Sequence, residues 1–341
     1  MSRTRTTPWM IWAGLAAVLL ATGCASRGDD AVIPGIRLDL DREGERKLLA
    51  FYLGGYVPGG AADPFQSGLL VESDGRFFIP DSVLTSDQAM HIRNLGPAAA
   101  GDGRVDWDEF EAFIVETWPD VRRAPASVDE ALRRYGDWSD SSKWFSMDVT
   151  GSMSPYRRRI SVELSALRAA VDALGSLDDA VIYPEGTVFV GEHLAVNSDS
   201  VTVVETTIMR KREDGLWDYF AYGSDGRWTT TIENEPSDLT VPTQCIGCHF
   251  GSRQFEPERS FPAEARPGPS GPRAVHGADE LRTSDVTARL SNGLQEHLRR
   301  SDTILGLYAT LYLARIGASH PDQLDRWELS TRDRLIPAAG R

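Results

Sequence analysis

Four segments rich in β-branched and aromatic residues follow one another in the second half of the chain, and they restrict its fold more than any other feature. They cover residues 187–190, 201–209, 217–222 and 228–232. Polar turns separate them, and these turns contain Gly186, Gly215 and Gly226. Short segments of this kind, joined by such turns, predict an antiparallel meander of about four strands.

Helical patterns flank this meander on both sides. Within residues 160–174, one series of apolar residues recurs at steps of three and four: Leu164, Leu167, Val171 and Leu174. Such spacing places the side chains on one buried face of a helix. Similar patterns occur at 45–51, 108–117 and 281–316. The sequence therefore predicts an α+β fold, in which an antiparallel sheet domain packs with helices and is flanked by mainly helical N- and C-terminal segments.

The first 24 residues have the features of an export signal. Arg3 and Arg5 precede an apolar run at 9–20, and small residues then lead to Cys24. The run is short for a hydrocarbon core of about 30 Å, so a retained membrane span is the weaker alternative. The sequence Leu-Ala-Thr-Gly-Cys resembles a bacterial lipobox, which predicts cleavage after residue 23 and lipidation of Cys24. An ordinary signal peptide with an incidental cysteine is the other alternative.

A lipidated Cys24 predicts a place in the bacterial cell envelope, where acyl chains attach the protein to a membrane and the chain faces the periplasm. The next residue is Ala25 rather than aspartate. By resemblance to enterobacterial sorting rules, this favours the outer membrane over the inner one.

The composition excludes several classes of protein. Hydrophobic residues make up 41% and charged residues 25% of the 341 residues, which indicates a globular chain rather than a disordered, collagen-like or multi-span one. Acidic residues outnumber basic ones by 50 to 36, and the formal charge is −14. A chain of this charge is not expected to bind nucleic acid, because the phosphate backbone would repel it.

Residues 245–249 read Cys-Ile-Gly-Cys-His, the C-x-x-C-H pattern of covalent c-type haem attachment. In this chemistry two thiols add to the haem vinyl groups, and the histidine that follows becomes an axial ligand of the iron. We therefore predict one haem c held by Cys245 and Cys248, with His249 as the proximal ligand. Attachment occurs outside the cytoplasm, which agrees with the export signal. A disulfide and half of a zinc site are the alternatives, but a structural zinc site needs four protein ligands.

The sequence leaves the sixth ligand of the iron open. The last methionine, Met209, precedes Cys245, so the downstream methionine of an ordinary small cytochrome c is absent. A packing or surface role is the alternative for each of the candidates, which are Met147, Met153, Met209, His193, His276, His297 and His320. A vacant sixth position is the remaining option.

Three motifs together resemble the cytochrome P-460 family, which includes the cytochromes c-prime-beta. They are Tyr-Pro-Glu-Gly-Thr-Val-Phe-Val at 183–190, a stretch at 209–226 with Met-Arg-Lys-Arg, Trp-Asp-Tyr and Asp-Gly, and the haem motif at 245–249. The resemblance covers about residues 130–255. It implies an antiparallel sheet packed with helices around one haem, commonly in a homodimer. It also implies a five-coordinate iron that can bind nitric oxide or hydroxylamine.

The same resemblance includes enzymes that oxidise hydroxylamine and carry a lysine cross-linked to the porphyrin. The lysines of this chain are Lys47, Lys143 and Lys211, and Gly191 stands where family members often have a lysine. Lys211 lies in the charged sequence Arg-Lys-Arg-Glu-Asp, so we expect it to be solvent-exposed rather than cross-linked. Aromatic residues that could cover a porphyrin, or simply fill a strand core, are Phe189, Trp217, Tyr219 and Phe220.

Residues 102–110 resemble the second half of a calcium-binding helix-loop-helix loop, with Gly103 at its sixth place and Glu109 at its twelfth. Ala98 and Ala100 would then fill the first and third places, where calcium needs side-chain oxygens. We therefore do not expect calcium to bind, and the acidic first turn of a helix explains the same residues.

These patterns divide the chain into a signal peptide (1–23), a tether (24–35), a mainly helical module with degenerate EF-hand-like loops (36–129), a cytochrome P-460-like haem domain (130–262), a Pro/Gly linker (263–275) and a C-terminal helical segment (276–341). They predict a lipid-anchored monohaem c-type cytochrome that exchanges electrons with a redox partner protein. A hydroxylamine-oxidising enzyme of the P-460 type is one alternative. A thiol-disulfide lipoprotein without haem is another.

Overall fold

A computed structural model describes residues 33–42, 44–57, 63–85, 91–98, 101–149, 154–176, 179, 181–197, 200–233, 237–245 and 306–336. By its internal contacts the chain divides into Met1–Ile33 and Pro34–Arg341, and all elements below belong to the second unit. The predicted signal peptide, the linker at 263–275 and the helical pattern at 281–305 lie outside the described residues.

The N-terminal part combines helices with a small sheet. Its elements are β1 (Gly35–Leu38), α1 (Glu45–Leu53), β2 (Val71–Ser73), β3 (Arg76–Pro80), α2 (Asp81–Leu84), α3 (Leu95–Ala98), β4 (Arg104–Val105) and α4 (Trp107–Val121). The strand order is β2-β3-β1-β4, with β1 and β4 parallel and the other neighbours antiparallel. The sequence predicted the helices α1 and α4 but not this sheet, because strands of two to five residues are too short to show clear alternation.

Helix α4 begins at a reciprocal cap. Asp106 Oδ1 accepts a hydrogen bond from Glu109 N at 3.0 Å, and Glu109 Oε2 accepts one from Asp106 N at 3.0 Å. This capping box satisfies backbone donors that a helix start leaves without partners. The carboxylates that made residues 102–110 resemble a calcium loop therefore serve as helix caps in this structure.

Helix α5 (Val128–Tyr135) leads into a five-stranded antiparallel sheet. Its strands, which follow the order of the chain, are β5 (Trp144–Val149), β6 (Arg157–Glu163), β7 (Val188–Asn197), β8 (Ser200–Lys211) and β9 (Trp217–Tyr222). The predicted antiparallel meander is confirmed for β7 to β9, and the α+β fold class is confirmed with it. The fourth predicted segment begins with a single antiparallel bridge between Trp228 and Tyr222 of β9. It then continues in a short ribbon of β10 (Thr231–Ile232) with β11 (Leu239–Thr240).

The helix predicted over residues 160–174 begins four residues later than its pattern suggests. Ile160 and Val162 belong to β6, where Val162 lies between Phe145 of β5 and Phe189 of β7. The helix α6 then covers Leu164–Asp172. Pairing with two neighbouring strands explains the difference, because β-branched residues pack well on a pleated surface.

Cross-strand partners share a face of the sheet, and one series of partners defines a face rich in large apolar residues. The series Phe145, Val162, Phe189, Met209 and Tyr219 crosses all five strands in register, and we name the side that it occupies the aromatic face. All five of these residues are buried. The side chains of this face form one wall of the protein core.

Two C-terminal helices complete the described fold. Helix α7 (Gly306–Ala318) covers the aromatic face, with the Tyr312 ring 5.0 Å from that of Phe145 and the Tyr308 ring 5.4 Å from that of Phe189. Helix α8 (Arg326–Leu335) is fixed to α6 by an ion pair of 2.6 Å between Arg168 and Asp325. Buried residues from the N-terminal part, the sheet and these helices form one continuous core.

Among the residues that the structure describes, no helix is both long and apolar enough to cross a membrane.

Candidate functional site

Of the residues predicted to bind haem, the structure describes Cys245. It ends the described segment 237–245 and is 8% exposed. Cys248, His249 and the predicted lipidation site Cys24 lie outside the described residues. The site is therefore built from Cys245 and the residues that hold it.

The chain approaches Cys245 through a tight, hydrogen-bonded turn after β11. Gln244 N donates to Thr240 O at 2.9 Å, while Gln244 Oε1 accepts a hydrogen bond from Thr240 N at 3.1 Å. Cys245 N donates to Pro242 O at 3.2 Å. These local bonds fix the start of the C-x-x-C-H motif before its second cysteine is reached.

The N-terminal helices hold this turn from the other side. Tyr52 of α1 donates its hydroxyl proton to Thr243 O at 3.2 Å, and Thr243 Oγ1 donates to Glu111 Oε1 of α4 at 2.5 Å. Burial, followed by the charges of Cys245 and Glu111, raises the pKa of Tyr52 well above its ordinary value. Tyr52 therefore stays protonated and remains a donor throughout the physiological pH range.

These supporting residues were missed by the sequence analysis. Tyr52 is 191 positions from Thr243 along the chain, and Glu111 is 132 positions from it. No local spacing connects residues at such separations. The motif itself identifies the chemistry, but only the tertiary fold identifies which helices support it.

The candidates for a sixth iron ligand fall into three groups. Met147, Met209 and His193 lie on the aromatic face, because they share its strand alternation and register. His320 lies on the surface with its side chain 72% exposed, 3.3 Å from Asp322. The other candidates, Met153, His276 and His297, lie outside the described residues.

His193 is engaged with an acidic partner that the sequence analysis did not identify. Its Nδ1 lies 3.1 Å from Oε2 of Glu205, directly opposite it on β8, and the two side chains are 3% and 10% exposed. Glu205 Oε1 also accepts a hydrogen bond from Glu233 N at 2.8 Å. The two atoms are close enough for an ion pair, but their geometry is not that of a hydrogen bond.

The prediction that Lys211 is solvent-exposed is wrong. Lys211 is 5% exposed. Its Nζ donates a hydrogen bond to Tyr183 O at 2.5 Å, and the same atom lies 5.9 Å from the centre of the Trp217 ring. The charged neighbours Arg210 and Arg212 suggested a solvated turn, but alternation along β8 places Lys211 on the aromatic face opposite Trp217. A buried lysine is therefore present on the aromatic face, which α7 covers.

The proposed porphyrin-covering residues are divided between the two sides of the sheet. Phe189, Trp217 and Tyr219 belong to the aromatic face, and the rings of Phe189 and Trp217 lie 5.8 Å apart. Phe220 alternates with them and so points to the opposite side, where its ring lies 6.2 Å from that of Trp228. All four are buried.

Among the described residues, the fit of a covalently attached haem depends on Cys245, which is shielded from water and belongs to the continuous core. The turn that carries Cys245 is held by α1 and α4, and α4 contacts the sheet at Asp218, on the side opposite the aromatic face. The aromatic face itself is covered by α7.

In the described ranges, no group of three or more His, Cys, Asp or Glu side chains could hold a metal ion. No family model matches the chain, and no curated protein or solved structure matches it. Proposals about its function therefore depend on its own residues and on the resemblance of its motifs.

Proposed function

We propose that the chain is an exported, lipid-anchored monohaem c-type cytochrome that transfers electrons at the periplasmic surface of the outer membrane. The observation that carries this proposal is the C-x-x-C-H motif in a chain that also has an export signal and a lipobox. The haem motif requires export of the chain, because c-type haem is attached outside the cytoplasm. A bound haem would supply a one-electron redox centre.

Different residues would attach that haem, bind its iron and position the attachment site. Cys245 and Cys248 would form the two thioether bonds, and His249 would be the proximal ligand. Tyr52 and Glu111 would keep the approach to Cys245 in a fixed conformation through their bonds to Thr243. This positioning resembles the way in which outer hydrogen bonds orient the ligands of other metal centres.

We further propose that the iron has an open sixth position that accepts nitric oxide or hydroxylamine. Of the two described histidine candidates, His320 is on the surface, and His193 lies on the aromatic face, opposite the side on which α1 and α4 hold the turn at Cys245. Met147 and Met209 are packed within the sheet between neighbouring strands. A homodimer is implied by the P-460 resemblance and stays a prediction.

Ultraviolet–visible spectra of the chain, co-expressed with the c-haem maturation system, test both parts of the proposal. We expect a high-spin ferrous spectrum whose Soret band shifts when nitric oxide is added, because an open iron binds that ligand. A low-spin spectrum that nitric oxide leaves unchanged would contradict the open position and indicate a filled one. The absence of any haem band would contradict the cytochrome assignment and favour the thiol-disulfide lipoprotein.

The burial of Lys211 favours a second candidate, a hydroxylamine-oxidising enzyme with a lysine–porphyrin cross-link. Peptide mass spectrometry after cleavage on the carboxyl side of glutamate distinguishes the two. For the electron-transfer cytochrome, we expect the peptide of residues 206–213, which contains Lys211, to be recovered at its unmodified mass, with haem on the peptide that contains residues 245–249 alone. A single haem-bearing species that joins both peptides, and that the Lys211→Arg variant lacks, would instead establish the enzyme candidate.

A further inference from the structure

A cleft of about 770 Å³ lies where the ends of β8 and β9 meet the chain that follows α1 and the C-terminal end of α4. Its charged lining has an excess of cations, in a chain with a formal charge of −14. The cations are Arg122, Arg123, Arg210 and Arg212, and the anions are Glu185, Glu213 and Asp218. Lys211 also lines the cleft, but its ammonium group donates to Tyr183 O on the aromatic face. The cleft is outside the motif at 245–249.

The buried carboxylate in the cleft is already shared between two arginines. Asp218 is 1% exposed, its Oδ1 lies 3.1 Å from Arg122 Nε, and its Oδ2 accepts a hydrogen bond from Arg210 Nη2 at 2.7 Å. Arg210 Nη2 also donates to Arg122 O at 2.7 Å. One negative charge therefore serves two guanidinium groups, and a positive charge is left in excess.

Two of these arginines are buried with incomplete hydrogen bonding. Arg122 is 7% and Arg212 is 6% exposed. Within the part of the chain that the structure describes, Arg122 Nη2 and Arg212 Nε have no hydrogen-bond partner. Buried donors are normally satisfied, so these two guanidinium groups keep a positive charge that the described acceptors compensate only in part.

The two guanidinium groups also disfavour each other. Arg212 donates to Phe51 O at 3.1 Å and pairs with Asp214, yet burial and the charge of Arg122 lower its pKa to about 10. A bound anion would oppose this effect, since a nearby negative charge favours the protonated form. Geometry and charge therefore identify the same ligand class.

We propose that this cleft binds a small oxyanion, whose carboxylate or phosphate group is attracted by the partly compensated charges of Arg122 and Arg212 and accepts hydrogen bonds from exposed Arg123. Arginine is suited to this role because its planar fork binds two oxygen atoms of one oxyanion at once. The volume of about 770 Å³ exceeds what a bare phosphate fills and lies in the range of ordinary small-molecule sites.

Isothermal titration of the haem-loaded full chain with inorganic pyrophosphate, and separately with succinate, tests the proposal. The haem-loaded chain is used because haem propionates carry the same carboxylate chemistry, so binding to this form reports a site for a free anion. We expect saturable binding of at least one probe, weakened by added salt because the contacts are ionic. Failure of both probes to bind at millimolar concentration would overturn the proposal.

One variant assigns the binding to the cleft. Arg123→Gln removes an exposed lining charge without disturbing buried contacts. We expect it to weaken binding of the probe about tenfold, the usual effect of losing one charge-assisted hydrogen bond. The matched control, Arg227→Gln, removes an exposed arginine outside the cleft and should bind as the parent does. Equal binding by Arg123→Gln, which needs no buried contact for folding, would overturn the assignment.

Discussion

Replacement of both Cys245 and Cys248 with alanine is expected to abolish covalently bound haem. The two thioether bonds are the covalent links of a c-type haem, so a chain without either thiol cannot retain the group after denaturation. The measurement is haem-linked peroxidase staining of the chain on a denaturing gel, after co-expression with the maturation system. We expect a strong band for the parent chain and none for the double variant.

Two further variants test whether the loss of covalent haem is specific to Cys245 and Cys248 rather than a result of misfolding. Cys24→Ala removes a cysteine outside the motif, so the stained band should remain while the chain leaves the membrane fraction. His249→Ala should retain at least some covalent haem but change its spectrum, because the proximal ligand is lost. A stained band in the double variant would contradict the attachment assignment. An unchanged haem spectrum in His249→Ala would contradict the ligand assignment.

The variant Trp118→Ala is expected to lower the free energy of unfolding by about 3–5 kcal/mol, the usual loss for a large aromatic side chain in a core. Trp118 is 0% exposed on α4, and its ring lies 6.0 Å from that of Phe51 on α1. Its Nε1 donates to Tyr219 O of β9 at 3.1 Å. The side chain therefore joins the N-terminal helices to the central sheet, and urea unfolding followed by circular dichroism measures its loss.

The variant Trp118→Phe separates packing from hydrogen bonding at this position. It keeps an aromatic ring but removes the indole donor, so we expect a smaller loss, of about 1–3 kcal/mol, from the unsatisfied carbonyl and the reduced volume. If Trp118→Ala unfolded at the same urea concentration as the parent, with the same dependence on urea, the contact between α4 and β9 would not contribute to stability.

The sheet could be predicted from the sequence where its signals are local. The strands β7 to β9 have β-branched and aromatic residues between glycine turns, and Gly186 and Gly215 lie at the expected turns with positive φ. In contrast, β6 joins directly to α6, and the apolar residues of the two elements read as one helical pattern. Pairing with β5 and β7, which involves distant residues, decides where the strand ends.

The candidate site could likewise be predicted from the sequence only where its signal is local. The C-x-x-C-H motif is contiguous, so the sequence alone predicts its chemistry. The residues that support the motif are distant from it in the sequence. Tyr52 and Glu111 contact the turn after β11 only because α1 and α4 pack against it in the fold. The exposure of Lys211 was predicted wrongly from a local signal. Its charged neighbours in the sequence suggested a solvated turn, whereas alternation along β8 buries its side chain.

The bonds from Tyr52 and Glu111 to Thr243 also decide how far the protein can be shortened. A chain that starts at residue 130 would keep the whole five-stranded sheet and the C-x-x-C-H motif, yet it would lack both side chains that hold Thr243 and the tryptophan that contacts β9. The sheet would then expose the surface on which α4 packs. We therefore expect a chain without α1 and α4 to be less stable than the full chain, because the core is continuous between the N-terminal part and the sheet.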